Sequence, residues 1–322
     1  MANEVLVSII IPVKNGDAWL KDTIPAILGQ VFEGGVEVIV IDSGSTDETL
    51  NILKNYPVRL VQIDSTSFNH GATRNLGATL AEGKYVVMTV QDAKPASSDW
   101  LKTLLNGFVD ETVAGVCGLQ IVPHHKDKNP VDWFRPISSP EMRIVHFPDS
   151  ERFRELSPDK QLSLCRWDNV NAAYRREILL DLPFRKTDFA EDAIWAKDAL
   201  LAGHSLVYQP AAQVEHYHTE DYDYAFKRNF SVQYHFFKYF GQIPVVENQT
   251  VISMLRTIKL LFLERRLSLS EKIRWYRYNS AYQRAVRMSN RVFIDSIDKS
   301  NDELDAKYSE VCKIIPQAIK PL

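Results

Sequence analysis

The first ninety residues alternate apolar, β-branched runs with segments of helical periodicity. The first run, Val5 to Ile11, is almost continuously apolar, as expected for a strand buried on both faces. A turn cluster and a helical segment that carries Trp19 and Leu20 follow it, and the same pattern then recurs. Further strands are predicted over 36–41, 58–63 and 85–90. Strands that alternate with helices predict a largely parallel sheet flanked by helices.

Polar side chains follow four successive predicted strands or the turns that leave them. They are Asn15, Asp42, Arg74 and Asp92. Ligands of parallel sheets bind at the carboxyl ends of the strands, which lie along one edge. This placement favours a nucleotide site over accidental surface polarity.

The stretch 68–75 (FNHGATRN) reads as a strand-to-helix turn, with the helix following over 76–81. Gly71 would allow the backbone to bend or to approach a ligand closely. Arg74 would then lie in the first helical turn, beside free N–H groups and the positive end of the helix dipole, where a diphosphate binds well. An ordinary capped helix start with a solvated arginine fits the same residues.

Two adjacent carboxylates open a predicted helix that begins near Phe189, continues to about Leu201 and ends before Gly203. Glu191 and Asp192 would project about 100° apart and cannot address the same point. Either one carboxylate acts as a base, or both complement the positive helix N-terminus.

Candidate metal ligands occur at two distant places in the chain. Asp92 lies in the turn after the fourth predicted strand, and His216 and His218 alternate late in the sequence. On a strand both histidines would face one side. Carboxylate oxygens and imidazole nitrogens bind divalent cations, although isolated histidine pairs are more often structural or surface residues.

The motifs together resemble the successive signatures of family 2 glycosyltransferases. They are Ser8 to Gly16 (SIIIPVKNG), Ile41 to Asp47 (IDSGSTD) and the Arg74-Asn75 turn. The resemblance covers roughly residues 5–240 and implies the GT-A (Rossmann-like) α/β fold, a nucleotide-sugar donor and inversion at the anomeric centre. The versions HGATRN at 70–75 and TVQDA at 89–93 are similar to the bacterial rhamnosyltransferase branch, which uses dTDP-rhamnose.

The resemblance also implies residue roles. Asp192 would be the base, and Glu191 would position it or bind the acceptor. The residues expected to bind the nucleotide sugar are Pro12, Asn15, Asp42, His70, Arg74, Gln91 and Asp92. The family usually carries Asp-x-Asp where this chain has Asp92 alone. It stays open whether Asp92 holds Mn²⁺ or Mg²⁺ with His216 (and His218 second) or touches the donor sugar.

Composition and charge indicate the binding partners and the cellular compartment of the protein. A net charge of −3 provides no overall positive potential that would attract nucleic acid. Three well-separated cysteines without zinc spacing suit free thiols in a reducing cytosol. The chain enters its first strand almost at once and contains no long apolar span, so we expect a cytoplasmic protein without a signal peptide.

The predicted glycosyltransferase domain is 1–243, and 244–322 is a predicted C-terminal helical extension. Residues 256–291 contain ten basic and two acidic side chains with aromatic and aliphatic residues between them. Basic amphipathic helices of this kind lie on anionic membranes, which would suit a lipid-linked glycan acceptor. The alternative is a helical appendage that packs on the catalytic domain or on a second subunit of a homo-oligomer.

The leading hypothesis is transfer of rhamnose from dTDP-rhamnose to a hydroxyl of a growing surface glycan, with a glycan or a lipid-linked glycan as the acceptor. A second hypothesis is a family 2 enzyme that uses another sugar carried by UDP. A third is a non-catalytic nucleotide-sugar-binding protein, which Gln91 and Ala93 favour. Asp192, Arg74 and His216 count against that third hypothesis.

Overall fold

The computed structural model describes residues 5–125, 127–134, 140–244 and 250–312. The chain divides into two compact units. Met1–Ile121 and Ser138–His216 form the first unit, and Val122–Ile137 and Tyr217–Leu322 form the second. The domain boundary expected after residue 243 stays a prediction.

The first unit is built on a nine-stranded sheet. The strands are β1 (Val5–Val13), β2 (Gly35–Asp42), β3 (Arg59–Gln62), β4 (Tyr85–Thr89), β5 (Lys94–Pro95), β6 (Val113–Ile121), β7 (Arg143–Val145), β8 (Asn171–Arg175) and β9 (Ser205–Glu215). Their order is β3-β2-β1-β4-β8-β6-β9-β5, and β7 also pairs with β9. The pairings give β1, β2, β3, β4, β6 and β9 one direction, whereas β5, β7 and β8 run opposite. The predicted largely parallel sheet is confirmed.

Eight α-helices lie beside these strands among the described residues of the first unit, together with one short 3-10 helix (Ser65–Ser67). The α-helices are α1 (Leu20–Leu28), α2 (Thr49–Leu53), α3 (His70–Leu80), α4 (Trp100–Leu105), α5 (Ser150–Arg154), α6 (Pro158–Leu164), α7 (Arg176–Asp181) and α8 (Glu191–Leu201). The central strand β1 is buried on both faces, because Ile9, Ile10 and Ile11 are all fully inaccessible. This explains its continuous apolar sequence.

Helix α3 begins earlier than the sequence suggested. The side chain of Asn69 accepts a hydrogen bond from the backbone N–H of Ala72 at 3.0 Å and caps the helix. Arg74 is therefore in the second helical turn, and its prediction for the first turn was wrong. Gly71 lies inside the helix, where a Cβ would come within 2.6 Å of the Arg185 carbonyl oxygen. The glycine serves packing against another segment rather than a bend.

The second unit is helical among its described residues, apart from short connecting segments. Its α-helices are α9 (Tyr222–Phe240), α10 (Thr250–Leu263), α11 (Leu269–Ile297) and α12 (Asn301–Val311). One core joins Phe230, Phe293 and Leu304, and a second joins Leu261, Leu267 and Trp275. The predicted C-terminal helices are confirmed. Within the described ranges, no helix is both long enough and apolar enough to cross a membrane.

Candidate active site

The loops that follow β1 and β2 are joined through Asn15. Its φ of 51° lies in the left-handed region, which asparagine tolerates better than most residues. The Asn15 backbone N–H donates to Ser45 Oγ at 2.8 Å, and its side-chain oxygen accepts from the Thr46 N–H at 2.9 Å. The two strand ends are therefore held in register where a nucleotide base is expected.

Asp42 ends β2 and is fully buried. Its carboxylate accepts hydrogen bonds from the backbone N–H groups of Gly44 at 3.1 Å and Ser45 at 3.2 Å. The carboxylate therefore shapes the loop after β2. An ionised carboxylate accepts about four hydrogen bonds, so these contacts are compatible with a further one to a base. That role, and the role of half-buried Pro12 beside it, stay predictions.

Gln91 clamps the loop after β4 to the loop after β1. Its amide oxygen accepts from the Lys14 N–H at 2.9 Å, and its amide nitrogen donates to the Lys14 carbonyl at 3.2 Å. A carboxylate at this position could accept the first bond but could not donate the second. The amide therefore has a structural reason to stand where the family usually carries acidic residues.

Arg74 and Glu191 form a buried ion pair. Arg74 Nη1 lies 2.7 Å from Glu191 Oε1, and the two side chains are 5% and 7% exposed. The Glu191 oxygen also accepts from Asn169 Nδ2 at 3.2 Å. Burial alone would raise the pKa of Glu191, but the Arg74 charge and these contacts outweigh it and lower the pKa. The expected contact between Arg74 and a diphosphate stays a prediction.

His70 lies one helical turn before Arg74, with its Nδ1 3.4 Å from Arg74 Nη1. Burial lowers the pKa of His70, and the neighbouring guanidinium lowers it further. A neutral imidazole is therefore favoured beside the ion pair. The Nε–H of Arg74 is also buried, and the described residues give it no hydrogen-bond partner.

Asp192 occupies a different environment from Glu191. Its carboxylate accepts from the backbone N–H groups of Asn169 at 3.3 Å and Ala193 at 2.7 Å. Ala190 turns the chain into α8 with a φ of 62°, unusual for a residue with a side chain. Burial raises the pKa of Asp192 well above its usual range, and the charges of Glu191 and Asp168 raise it further. A carboxylate that binds a proton this readily suits a general base.

A buried chain of hydrogen bonds leads to Asn169, which contacts both Glu191 and Asp192. Trp167 Nε1 donates to the Tyr174 hydroxyl at 2.7 Å, and that hydroxyl donates to Asn169 Oδ1 at 2.6 Å. Asn169 is 1% exposed, and it reaches Glu191 with its side chain and Asp192 with its backbone. Sequence reasoning did not assign Asn169 to the site, because an asparagine before a strand has no distinctive spacing.

Asp92 and His216 meet near the ends of β4 and β9. Asp92 Oδ1 lies 3.6 Å from His216 Nε2. On its other side, His216 Nδ1 is 2.7 Å from Gln120 Oε1, and the Gln120 amide nitrogen donates to Asp168. The Gln120 oxygen can only accept, so His216 Nδ1 is the donor in this contact and Nε2 is the ring nitrogen that faces Asp92.

This pair fits a divalent cation. Ligand bonds of about 2.1 Å allow two donor atoms bound to the same ion to be as much as about 4.2 Å apart. The observed 3.6 Å lies within that limit, and a carboxylate oxygen with an imidazole nitrogen suits Mn²⁺-like metals. The sequence predicted both residues but missed Gln120, which is 96 residues from His216 in the chain.

The strand argument for the two histidines was wrong. Strand β9 ends at Glu215, so His216 and His218 follow the strand instead of alternating within it. His216 is held beside β6 because its N–H donates to the Ile121 carbonyl at 3.1 Å. His218 belongs to the second unit, and its part in a metal site stays a prediction.

Sequence comparisons agree with the motifs. The family model described as glycosyl transferase family 2 matches residues 8–182, a little more than half of the chain. The chain is 33% identical over 232 residues to the O-antigen chain rhamnosyltransferase RfbN of Salmonella typhimurium, an alignment that covers 70% of each protein. It is 34% identical over 200 residues to the O-antigen chain rhamnosyltransferase WbaN of Salmonella anatum, with 60% of each covered.

Solved structures give the fold. The crystal structure of S. aureus TarS 1-349 is similar with a TM-score of 0.53 and 16% identity, over 96% of this chain and 90% of that one. The same protein in complex with UDP gives a TM-score of 0.52 and 17% identity, with the same coverage. The predicted GT-A fold is thereby confirmed. Together, the family match, the two relatives and this shared fold show that the chain belongs to glycosyl transferase family 2.

Proposed function

We propose that the protein is an inverting rhamnosyltransferase, which moves L-rhamnose from dTDP-rhamnose to a hydroxyl of a growing, lipid-linked surface glycan in the cytoplasm. Two relatives, which are 33% and 34% identical to this chain, are named O-antigen chain rhamnosyltransferases. The observation that carries the chemistry is the placement of Asp192, whose carboxylate accepts hydrogen bonds from the backbone N–H groups of Asn169 and Ala193. Burial and the neighbouring carboxylates also raise its pKa.

The proposed reaction is a single displacement. Asp192 accepts the proton of the acceptor hydroxyl while that oxygen forms a bond to the anomeric carbon. The bond between the anomeric carbon and the diphosphate oxygen breaks, and its electron pair leaves with the nucleoside diphosphate. One displacement inverts the anomeric centre and needs no nucleophile from the protein.

The surroundings of Asp192 support its role as the base. Its oxygens are oriented by two backbone N–H groups, from Asn169 and Ala193. Glu191 is paired with Arg74 at 2.7 Å and accepts from Asn169, which suits a residue that positions the base. Proton transfer by such a base contributes typically 10²- to 10⁴-fold to the rate.

The donor would bind across the loops that the side-chain contacts join. The base would lie near Pro12, Asn15 and Asp42, where Asn15 links the ends of β1 and β2. The diphosphate would lie near His70 and Arg74, whose Nε–H is buried without a partner among the described residues. Gln91 would act by keeping the loop after β1 in place.

Asp92 and His216 would hold Mn²⁺ or Mg²⁺, with His218 as a further ligand. Such an ion, when bound, neutralises the negative charge that develops on the leaving diphosphate. The chain's own contribution is to hold the two donor atoms 3.6 Å apart and to direct the His216 lone pair through Gln120. A single carboxylate then serves where other family members use two.

A UDP-sugar donor is the second candidate. TarS in complex with UDP-GlcNAc is similar to this chain with a TM-score of 0.51 and 16% identity, over 95% of this chain and 79% of that one. The fold that the two proteins share does not determine whether the donor nucleotide carries thymine or uracil. Donor choice therefore needs a direct test.

The test is thermal stabilisation by a panel of nucleotide sugars, each with Mn²⁺, with Mg²⁺ or with EDTA. A ligand at about 100 times its dissociation constant should add roughly 2.7 kcal/mol to the free energy of unfolding. Selective stabilisation by dTDP-rhamnose that EDTA removes is the expected result. Selective stabilisation by a UDP-sugar would support the second candidate, and no response to any donor would contradict both.

A further inference from the structure

Helix α10 exposes an apolar face. Leu255 is 58% exposed, Ile258 is 45% exposed and Phe262 is 77% exposed. Their spacing of three and four residues places them on one side of the helix. Leu261 is only 3% exposed and packs on Leu267 and Trp275. The helix therefore carries apolar side chains both toward its neighbours and toward solvent.

The exposed apolar surface continues at the connection to α11. Leu263 is 64% exposed and Leu269 is 75% exposed. Lys272 Nζ donates to the Phe262 carbonyl at 3.1 Å, so the start of α11 lies against the end of α10. Contiguous exposed apolar surface on a folded protein is typical of interaction sites. We call residues 255–273 the α10 surface.

The α10 surface carries five basic and two acidic side chains, and it lies at the start of a longer basic segment. Residues 256–291 carry ten basic and two acidic side chains, whereas the whole chain has a net charge of −3. Both acids are already engaged locally. Glu264 accepts from Arg266 at 2.8 Å, and Glu271 caps α11 through Ser268. Arg256 and Lys259 are exposed on α10 itself, interleaved with its exposed apolar residues.

We propose that the α10 surface binds the anionic headgroup layer of a phospholipid bilayer. Exposed leucine and phenylalanine side chains interleaved with arginine and lysine match the two attractions that hold a helix in that layer, apolar burial and charge. The proposal rests on the proposed function only for its purpose, which is access to a lipid-linked acceptor. Vesicle binding itself can be measured without any sugar.

The test is flotation of the full-length protein with phosphatidylcholine vesicles and with vesicles in which part of that lipid is phosphatidylglycerol. We expect binding to the vesicles with phosphatidylglycerol alone, and weaker binding at high salt because salt screens the charges. The double variant Arg256→Gln, Lys259→Gln should lower the partition coefficient by roughly thirtyfold. Phe262→Ser should lower it by roughly tenfold or more, since a large apolar side chain no longer enters the bilayer.

Matched controls lie in the first unit. Val31 is 69% exposed and Lys186 is also exposed, so Val31→Ser and Lys186→Gln change surface chemistry away from α10. Equal binding to both vesicle types, no binding, or equal losses in test and control variants would overturn the proposal. So would light scattering that shows a dimer which Phe262→Ser dissociates while vesicle binding persists. If vesicle binding fails while dTDP-rhamnose still stabilises the protein, the proposed function stands and this inference falls.

Discussion

The candidate active site has two ends, one at the start of α8 and one near the ends of β4 and β9, and buried charge is balanced differently at each. At the start of α8, the chain supplies its own cation, since Arg74 lies 2.7 Å from Glu191. Near the ends of β4 and β9, Asp92 and His216 are 3.6 Å apart and are spaced as two ligands of one ion. The end with the proposed base is therefore organised by contacts within the protein, whereas the Asp92–His216 end is suited to be completed by a cation.

The largest expected effect separates the base from its neighbours. Asp192→Asn should lower kcat by about 10²- to 10⁴-fold, because the amide cannot accept the acceptor's proton. Donor-induced thermal stabilisation should be nearly unchanged, since the proposed donor contacts lie elsewhere. Steady-state transfer assays and thermal shifts on the same preparations measure both. The control is Asp188→Asn, an exposed carboxylate shortly before α8, which should retain activity.

The Arg74–Glu191 ion pair should be important for stability. Arg74→Met leaves a buried, unpaired carboxylate and should cost about 3–5 kcal/mol of unfolding free energy, measured by urea denaturation. The double variant Arg74→Met, Glu191→Leu should recover much of that loss, because no buried charge is left behind. If Arg74→Met costs far less yet removes donor binding, the guanidinium serves the diphosphate rather than the pair.

Gln120 should affect metal binding at Asp92 and His216, but not the surroundings of Asp192. Gln120→Leu removes the acceptor that fixes the His216 ring and should weaken Mn²⁺ binding by about 10- to 100-fold. Titration calorimetry or electron paramagnetic resonance with Mn²⁺ measures this without donor or turnover. Gln209→Leu, a half-buried change in β9, is the matched control. Unchanged Mn²⁺ affinity in Gln120→Leu would remove the positioning role.

The smallest expected effect is a shift of the pH profile. After burial, the charge of Glu191 is the next cause that raises the pKa of Asp192. Glu191→Gln keeps an acceptor for Arg74 but removes that charge, so the pKa of Asp192 should fall. A base works when deprotonated, so kcat/KM should persist to lower pH than in the parent. Glu177→Gln, exposed on α7, should leave the profile in place, and a shift to higher pH in Glu191→Gln would contradict the assignment.

The sequence predicted helices and strands correctly where their formation depends on residues close together in the chain. The apolar run of β1 and the helix α8, followed by Gly203 with a φ of 84°, were both found, because burial and helix termination act over a few residues. The start of α3 was predicted too far along the chain, because residues 68–75 fit a turn at Gly71 as well as they fit a helix capped by Asn69.

The contacts that make the site could not be read from the sequence. Arg74 and Glu191 are 117 residues apart, and Gln91 reaches back 77 residues to Lys14. Such pairs form only when particular strands become neighbours in the sheet. The periodicity of apolar residues in the sequence does not indicate which strands will be neighbours. The sequence named Arg74 as a phosphate ligand, which stays a prediction, and it did not predict the ion pair of Arg74 with Glu191.

The decisive measurement is thermal stabilisation by dTDP-rhamnose of three proteins, each with Mn²⁺ and with EDTA. They are the parent protein, Asp192→Asn and Asp92→Asn. We predict that Asp192→Asn keeps a metal-dependent stabilisation like that of the parent protein, although its transfer activity is lost. Asp92→Asn should lose the part of the stabilisation that depends on Mn²⁺. Equal loss of donor stabilisation in both variants would contradict the separation of base and metal sites.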